Sequence, residues 1–308
     1  MRGCLGLSGG TTNLVAITDR QPIMRPAVLT LFGDRRCEVG APTGDGLVIA
    51  DFVERVGDSV PLVAADGSTH RGEDLLARAV ETMTRAASPA RRPEATVVAV
   101  PAHWRRGAVD AVRRTLPGAR VVSDAVAALT AIRAHPGLPA RGVVALCDFG
   151  ASGTSRTLSD ADADFAPIGQ SVRYDEFSGD LVDQELLRHV LTNLDSEPAG
   201  TAAVAVLSQL REQCRIAKEQ LSYQSAASLT GPVSGTALRL TRAELESVVS
   251  APLTGLLDGL LDLLRRNGIH PDQLAALVTV GGGAGIPLVT QRLSEAFRMP
   301  VTTVPQSQ

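Results

Sequence analysis

The stretch CLGLSGGTTNLVAITD, residues 4–19, sets two short apolar segments on either side of a turn of glycines, threonines and an asparagine. CLGLS enters the turn as a strand and NLVAITD leaves it as a second one. Apolar segments joined by so short a turn pair antiparallel. RPAVLTLF follows as a third strand, so the chain opens as a β-meander and not as a strand leading into a helix. Glycine lets backbone N–H groups approach an anion with no Cβ in the way. The turn therefore reads as a phosphate cradle, but one without the lysine that follows the glycines of a P-loop.

The pattern recurs. GVVALCDFGASGTSRTLSDADADFAPIG, residues 142–169, is again strand, small-residue turn, strand, turn, strand. Between the two copies the chain alternates. GEDLLARAVETMTRAA reads as a helix with Leu75, Leu76, Ala79, Val80 and Met83 on one face. ATVVAVP is a buried strand, RGAVDAVRRTL a helix stopped by Pro117 and Gly118, ARVVSD a strand and AVAALTAIRAH a helix. PGLPAR, residues 136–141, is a turn or linker. Two meanders each followed by helices predict an internally duplicated, layered α/β fold.

Beyond the second meander, AAVAVLSQLREQCRIAKEQLSY carries Val206, Leu210, Cys214, Ala217 and Leu221 at helical spacing. AASLTGPVSGTALRL reads as a hairpin. TRAELESVVSAPLTGLLDGLLDLLRRNG opens with Thr241 and Glu244 in capping-box spacing and stops at Gly268. LAALVTVGGGAGIPLVTQRLSEAF is a buried strand, a triple-glycine turn and a helix. The tail VPQSQ stops in mid-pattern, which suggests a piece of something longer.

The composition excludes several classes. The 308 residues are 44% hydrophobic and 20% charged, with a formal net charge of -3. That balance gives no electrostatic reason to expect nucleic acid as a partner. Lys218 is the only lysine and every other basic residue is arginine. Cys4, Cys37, Cys147 and Cys214 form no C-x-x-C pair, which argues against a zinc site and for free thiols in a reducing cytoplasm. No apolar run approaches the roughly 20 residues of a membrane span, and MRGCLGLSGG is not a secretory signal. The five histidines lack a catalytic or metal-binding pattern. The run of Asp160, Asp162 and Asp164 lacks the glycine and final glutamate of a calcium loop. Trp104 is expected to pack at the end of its strand.

Three glycine turns each follow an apolar strand, at Gly9–Gly10, Gly150–Gly153 and Gly281–Gly283, and together with their flanks they carry a resemblance. LGLSGGTTN resembles the first phosphate loop, G-I-D-L-G-T-T-N, of the heat-shock protein 70 (DnaK-type) chaperones in the actin/hexokinase-like superfamily. VVAVPAHW resembles I-T-V-P-A-Y-F, VVSDAVAAL resembles I-N-E-P-T-A-A-A, and ALCDFGASGTS resembles D-L-G-G-G-T-F-D. FSGDLVDQELL is similar to L-G-G-E-D-F-D, LREQCRIAKEQLS to L-R-x-x-C-E-R-A-K-x-x-L-S, and VTVGGGAGIP to V-L-V-G-G-S-T-R-I-P. The matches keep the family's order over nearly the whole chain.

The resemblance implies a two-lobed actin-like ATPase fold built from duplicated ribonuclease H-like units, with ATP or ADP in a cleft and Mg²⁺ at the phosphates. It places lobe I at residues 1–141, with a reduced outer subdomain, and lobe II at 142–308, with a helical subdomain over about 179–268. A peptide-binding domain is absent from this chain. Gly10, Thr11, Thr12 and Asn13 match the first loop. Asp148, Gly150, Ala151, Ser152 and Gly153 match the second, with Asp148 a catalytic carboxylate that holds the metal through water. Gly179 matches a glycine near the nucleotide, Lys218 and Ser222 match adenosine contacts, and Gly281, Gly282, Gly283 and Ile286 match the third turn.

The departures decide what the site is expected to do. Ser8 replaces the first-loop aspartate, and a neutral hydroxyl attracts a hydrated divalent cation far less than a carboxylate does. Asp124 stands at the catalytic glutamate with a shorter reach. Gly153 takes the threonine position, with Thr154 one residue late. Arg215 replaces a glutamate and Gly285 an arginine of the adenosine grip. The family's lysine near the γ-phosphate has no counterpart, and Arg35, Arg36, Arg55 or Arg71 would match its charge but not its geometry. The expectation is a chaperone nucleotide-binding domain that binds ATP or ADP with weak or absent hydrolysis and meets a protein partner or client. A degenerate interaction module is the alternative. A small-molecule kinase, with Asp124 as its base, is a third reading.

Overall fold

The computed structural model describes residues 3–19, 21–33, 37–42, 44–133, 138–192, 203–230 and 237–304. Arg35, Arg36, His135, the first residues of the PGLPAR turn, the tip of the AASLTGPVSGTALRL hairpin and the end of the VPQSQ tail lie outside them. The chain divides into two compact units, Met1–Ala131 and Ile132–Gln308.

In the first unit β1 (Cys4–Gly9) pairs antiparallel with β2 (Asn13–Ile17), and β2 pairs with β3 (Ile23–Pro26). The third strand is shorter than RPAVLTLF suggests. Pro26 has no N–H to continue a ladder, and Ala27 N–H instead donates to Thr12 O at 2.7 Å. The chain then leaves the sheet. β4 (Leu29–Leu31), β5 (Glu38–Val39) and β6 (Leu47–Ile49) form a separate three-stranded sheet, and β7 (Leu62–Val63) pairs with β8 (Thr69–His70).

Helix α1 (Gly72–Ala87) buries the five apolar residues its spacing selects. β9 (Ala95–Val100) runs parallel to β1, helix α2 (Arg106–Thr115) follows, and β10 (Ala119–Ser123) runs parallel to β9 before helix α3 (Asp124–Ala131). Leu5, Leu7, Leu14, Val98, Leu75 and Leu76 meet in one core, and Trp104 packs against its margin.

The second unit repeats this strand order. β11 (Val143–Phe149) pairs antiparallel with β12 (Thr154–Asp160), which pairs with β13 (Ala166–Pro167) and with β14 (Val172–Tyr174). The helical part comprises α4 (Gly179–Thr192), α5 (Ala203–Leu221), the hairpin of β15 (Ala226–Thr230) and β16 (Ala237–Thr241), and α6 (Arg242–Arg266). The chain then returns to the sheet through β17 (Leu274–Val280), which runs parallel to β11. Helix α7 (Pro287–Phe297) and β18 (Val301–Thr303) complete it. One sheet runs β3-β2-β1-β9-β10 and the other β13-β12-β11-β17-β18. Each is an antiparallel meander with two parallel strands added on the side of its first strand. The duplication read from two echoing turns is thus a repeated topology, and the fold is mixed α/β.

Thr241 and Glu244 close a reciprocal capping box at the start of α6. Gly268 follows its end at φ +69°, a conformation that favours glycine. This helix qualifies the expectation about membrane spans. Its length and a mean hydropathy of 1.4 over 18 residues would suffice to cross a bilayer. Its apolar side, including Leu245, Val249, Leu253 and Leu256, is buried in the core of the second unit, so packing within the fold accounts for that side.

Candidate functional site

The second unit places its two glycine turns at the carboxyl ends of neighbouring parallel strands. Asp148 near the end of β11 is in register with Val280 at the end of β17. Crevices at such strand ends are where open α/β sheets bind ligands. Gly281 adopts φ +87°, and a Cβ there would lie 2.6 Å from Asp148 Oδ1 and overlap the Phe149 carbonyl. Glycine is therefore required beside the carboxylate. Burial pushes the Asp148 carboxyl above its ordinary value. Among the described residues no hydrogen bond or ion pair engages that carboxylate.

The turn after β11 is stapled to the start of α4. Gly150 N–H donates to Gly153 O at 3.0 Å, Gly179 N–H to Gly150 O at 3.1 Å, and Asp180 N–H to Ala151 O at 2.9 Å. A side chain on Gly179 would approach Ala151 Cα at 3.3 Å and Lys218 Nζ at 3.4 Å. The first residue of α4 thus lies between the turn and the only lysine. Lys218 Nζ donates to Gly179 O at 3.0 Å and pairs with Asp183 Oδ1 at 2.7 Å.

Around this point the structure brings together residues that the sequence scatters over a hundred positions. A cavity of about 30 Å³ is lined by Phe177, Gly179, Val182, Lys218, Glu219, Ser222, Gly282, Gly283 and Ile286. Six of these are residues the motifs single out. Gly285 faces the same place, since a Cβ on it would stand 3.7 Å from Ser222 Oγ. Arg215 is turned to its own helix, pairing with Glu212 and with Glu219 at 2.6 Å each. The hydrogen bond to Glu212 raises its pKa further.

Gly10, Thr11, Thr12, Asn13 and Asp124 belong to the first unit. Gly10 is held close to Asn13, whose carbonyl would stand 2.8 Å from a Cβ on it. Ser8 is half-buried in β1, between Val15 and Ala99. Asp124 begins α3, and its Oδ1 accepts the Ala102 N–H at 2.9 Å. Arg55 pairs with Asp58 at 2.8 Å and Arg71 with Glu73 at 2.7 Å, so two of the four arginines named as lysine surrogates are held by local carboxylates, while Arg35 and Arg36 lie outside the described residues.

The motifs overlooked Asp183, Phe177, Val182 and Glu219. Asp183 was legible in principle, because it lies four residues after Gly179 on one helix face. Phe177 packs edge-on against Phe149 with ring centroids 5.5 Å apart, a contact that no local pattern announces.

The comparisons with known proteins give the family. The Hsp70 protein family matches residues 50–307. The chain belongs to the Hsp70 family. Among curated proteins it is 28% identical to a chaperone protein HscA homolog of Acidithiobacillus ferrooxidans over 76% of this chain and 37% of the relative. It is 27% identical to the HscA homolog of Azotobacter vinelandii over 100% of this chain and 56% of the relative. It is 25% identical to chaperone protein HscA of Yersinia pseudotuberculosis over 84% of this chain and 42% of the relative. The chain thus spans roughly a third to a little over half the length of these Hsp70 relatives. The family match begins after the first glycine turn, which the Azotobacter alignment reaches.

Proposed function

We propose that this chain is an Hsp70-type nucleotide-binding domain that takes ATP or ADP and turns it over weakly or not at all. The cavity where Gly179, Lys218, Ser222, Gly282, Gly283 and Ile286 meet carries the reading. It has an apolar wall, one partly buried ammonium and backbone groups of two glycine turns, which suits a nucleoside. Gly150 to Gly153, beside it in sequence and space, would take the phosphates. The resemblance gives Gly10, Thr11, Thr12 and Asn13 of the first unit a phosphate-binding role as well.

Asp148 is the residue suited to Mg²⁺. No group of three His, Cys, Asp or Glu side chains is gathered for a metal among the described residues, so an all-protein cage does not fit. A hydrated Mg²⁺ that leans on one carboxylate through water and otherwise on phosphate oxygens does fit. Such an ion would neutralise phosphate charge. Ser8 supplies no second carboxylate and the chain has no second lysine. Where catalytic groups act as a unit, losing any one of them already removes most of the rate, which is the reason for expecting binding without efficient hydrolysis.

One observation favours a second reading, a degenerate interaction module. The cavity is narrow and Lys218 is already spoken for by Asp183. The kinase reading loses ground, because the carboxylate it needs as base accepts the Ala102 N–H. A client protein, suggested by the word chaperone in the relatives' names, and a reducing cytoplasmic location extend the first reading.

Calorimetry with ATP and ADP, each with and without Mg²⁺, tests it. Binding of either nucleotide with slow turnover is the expected result. No detectable binding would leave the interaction module standing, and turnover at the rate of an active chaperone would refute the loss of hydrolysis.

A further inference from the structure

The second glycine turn carries a cation that no motif announces. Arg173, on β14, donates from Nη2 to Ser152 O at 2.7 Å and to Ser152 Oγ at 2.9 Å. Its guanidinium fills the space a side chain on Gly153 would occupy, with Cζ 2.8 Å from the position of a Cβ. The neighbouring Thr154 is not available to the turn, because its hydroxyl is buried and donates to Phe177 O at 2.8 Å. The turn has thus exchanged a threonine side chain for the head of an arginine reaching in from the neighbouring strand. The pairing of β14 with β12, with Arg173 opposite Ser155, fixes that reach. Asp175 pairs with the other side of the guanidinium, with Oδ1 2.6 Å from Nε.

We propose that Arg173 is the phosphate-end cation of this site, binding the charged part of the nucleotide at the Gly150–Gly153 turn in a chain that has no lysine to spare. The inference rests on the nucleotide reading above. A guanidinium beside open glycine backbone is suited to phosphate oxygens. Ser152 holds the guanidinium in place, and Asp175, exposed over 77% of its side chain, offsets part of its charge.

Titrating ADP and adenosine into wild type, Arg173→Gln and Asp175→Asn, each at low and high salt, tests the assignment. Arg173→Gln should weaken ADP about tenfold, the usual scale for a hydrogen bond to a charged group, and leave adenosine unchanged. Asp175→Asn lifts the competing charge from an exposed position. It should tighten ADP severalfold, and the gain should shrink at high salt. Equal losses for ADP and adenosine in Arg173→Gln would mean that the arginine only shapes the turn, and would overturn the assignment. If that variant does not fold, Asp175→Asn decides alone, and unchanged or weaker ADP binding overturns it. Wild type that binds neither ligand refutes the nucleotide reading itself. Wild type that binds ADP with no dependence on Arg173 refutes only this inference.

Discussion

Lys218 Nζ lies 2.7 Å from Asp183 Oδ1, with 14% and 6% of the two side chains exposed. The chain's single lysine is therefore committed to a buried ion pair at the wall of the cavity. Burial pushes the Asp183 carboxyl above its ordinary value, and Lys218 pulls it part of the way back.

Lys218→Met should strand that carboxylate, at a cost of about 3–5 kcal/mol, the usual result of removing one partner of a buried pair. Adding Asp183→Asn should recover much of the loss. Because the folded pKa of Asp183 is raised, its favourable contribution is complete below the unfolded value of 3.8 and is lost as pH rises through the folded one. The stability of Lys218→Met should accordingly climb as pH falls from neutral towards 4, approximately. Urea unfolding at several pH values measures both effects, and a pH-independent loss would contradict the pairing.

Asp148→Asn should stabilise the unit while impairing its proposed site. The Asp148 carboxyl is raised by burial with no partner drawing it back, so keeping it ionised at neutral pH works against folding. The variant should melt higher than wild type at neutral pH, and the difference should narrow on acidification, when the wild-type carboxyl is protonated anyway. Scanning calorimetry at two pH values checks the sign. A lower melting temperature at neutral pH would count against the account.

Gly281→Ala and Gly268→Ala separate two costs of adding a methyl group. Both glycines have positive φ, but Gly268 has open space around it whereas Gly281 faces Asp148 Oδ1 and the Phe149 carbonyl. Gly268→Ala should cost about 1 kcal/mol from backbone conformation alone. Gly281→Ala should cost about 1–3 kcal/mol more, because backbone must move to relieve the overlap. Chemical denaturation ranks the pair, and equal losses would remove the steric argument.

Ser8→Asp tests the missing carboxylate. The variant should make ADP binding more dependent on Mg²⁺, with little change in its absence. The measurement is an ADP titration with and without the metal. An unchanged Mg²⁺ dependence would trace the proposed loss of hydrolysis to the absent lysine instead.

Much of the fold could be read along the chain because its signals are local. The apolar stripe Leu75, Leu76, Ala79, Val80 and Met83 marks α1, the Thr241–Glu244 spacing marks the start of α6, and the echo of residues 4–19 in 142–169 marks the duplication. Where local reading failed, the decision was made elsewhere. RPAVLTLF looks like one strand, but Ala27 bonds back to Thr12 and the chain leaves for another sheet. Helix α6 is apolar enough to resemble a membrane span until the core that covers it is seen.

The candidate site divides along the same line. The order of residues shows three glycine turns after apolar strands and a single lysine. These are facts of composition and spacing, and they brought the Hsp70 family into view. What each group does within its unit depends on the folded chain. Asp183 holds Lys218, Arg173 fills the place of the side chain that Gly153 lacks, and Asp124 answers the Ala102 N–H. Partners in a buried ion pair or hydrogen bond are chosen by what the folded backbone brings within about 3 Å, and that distance is not written in the order of the residues.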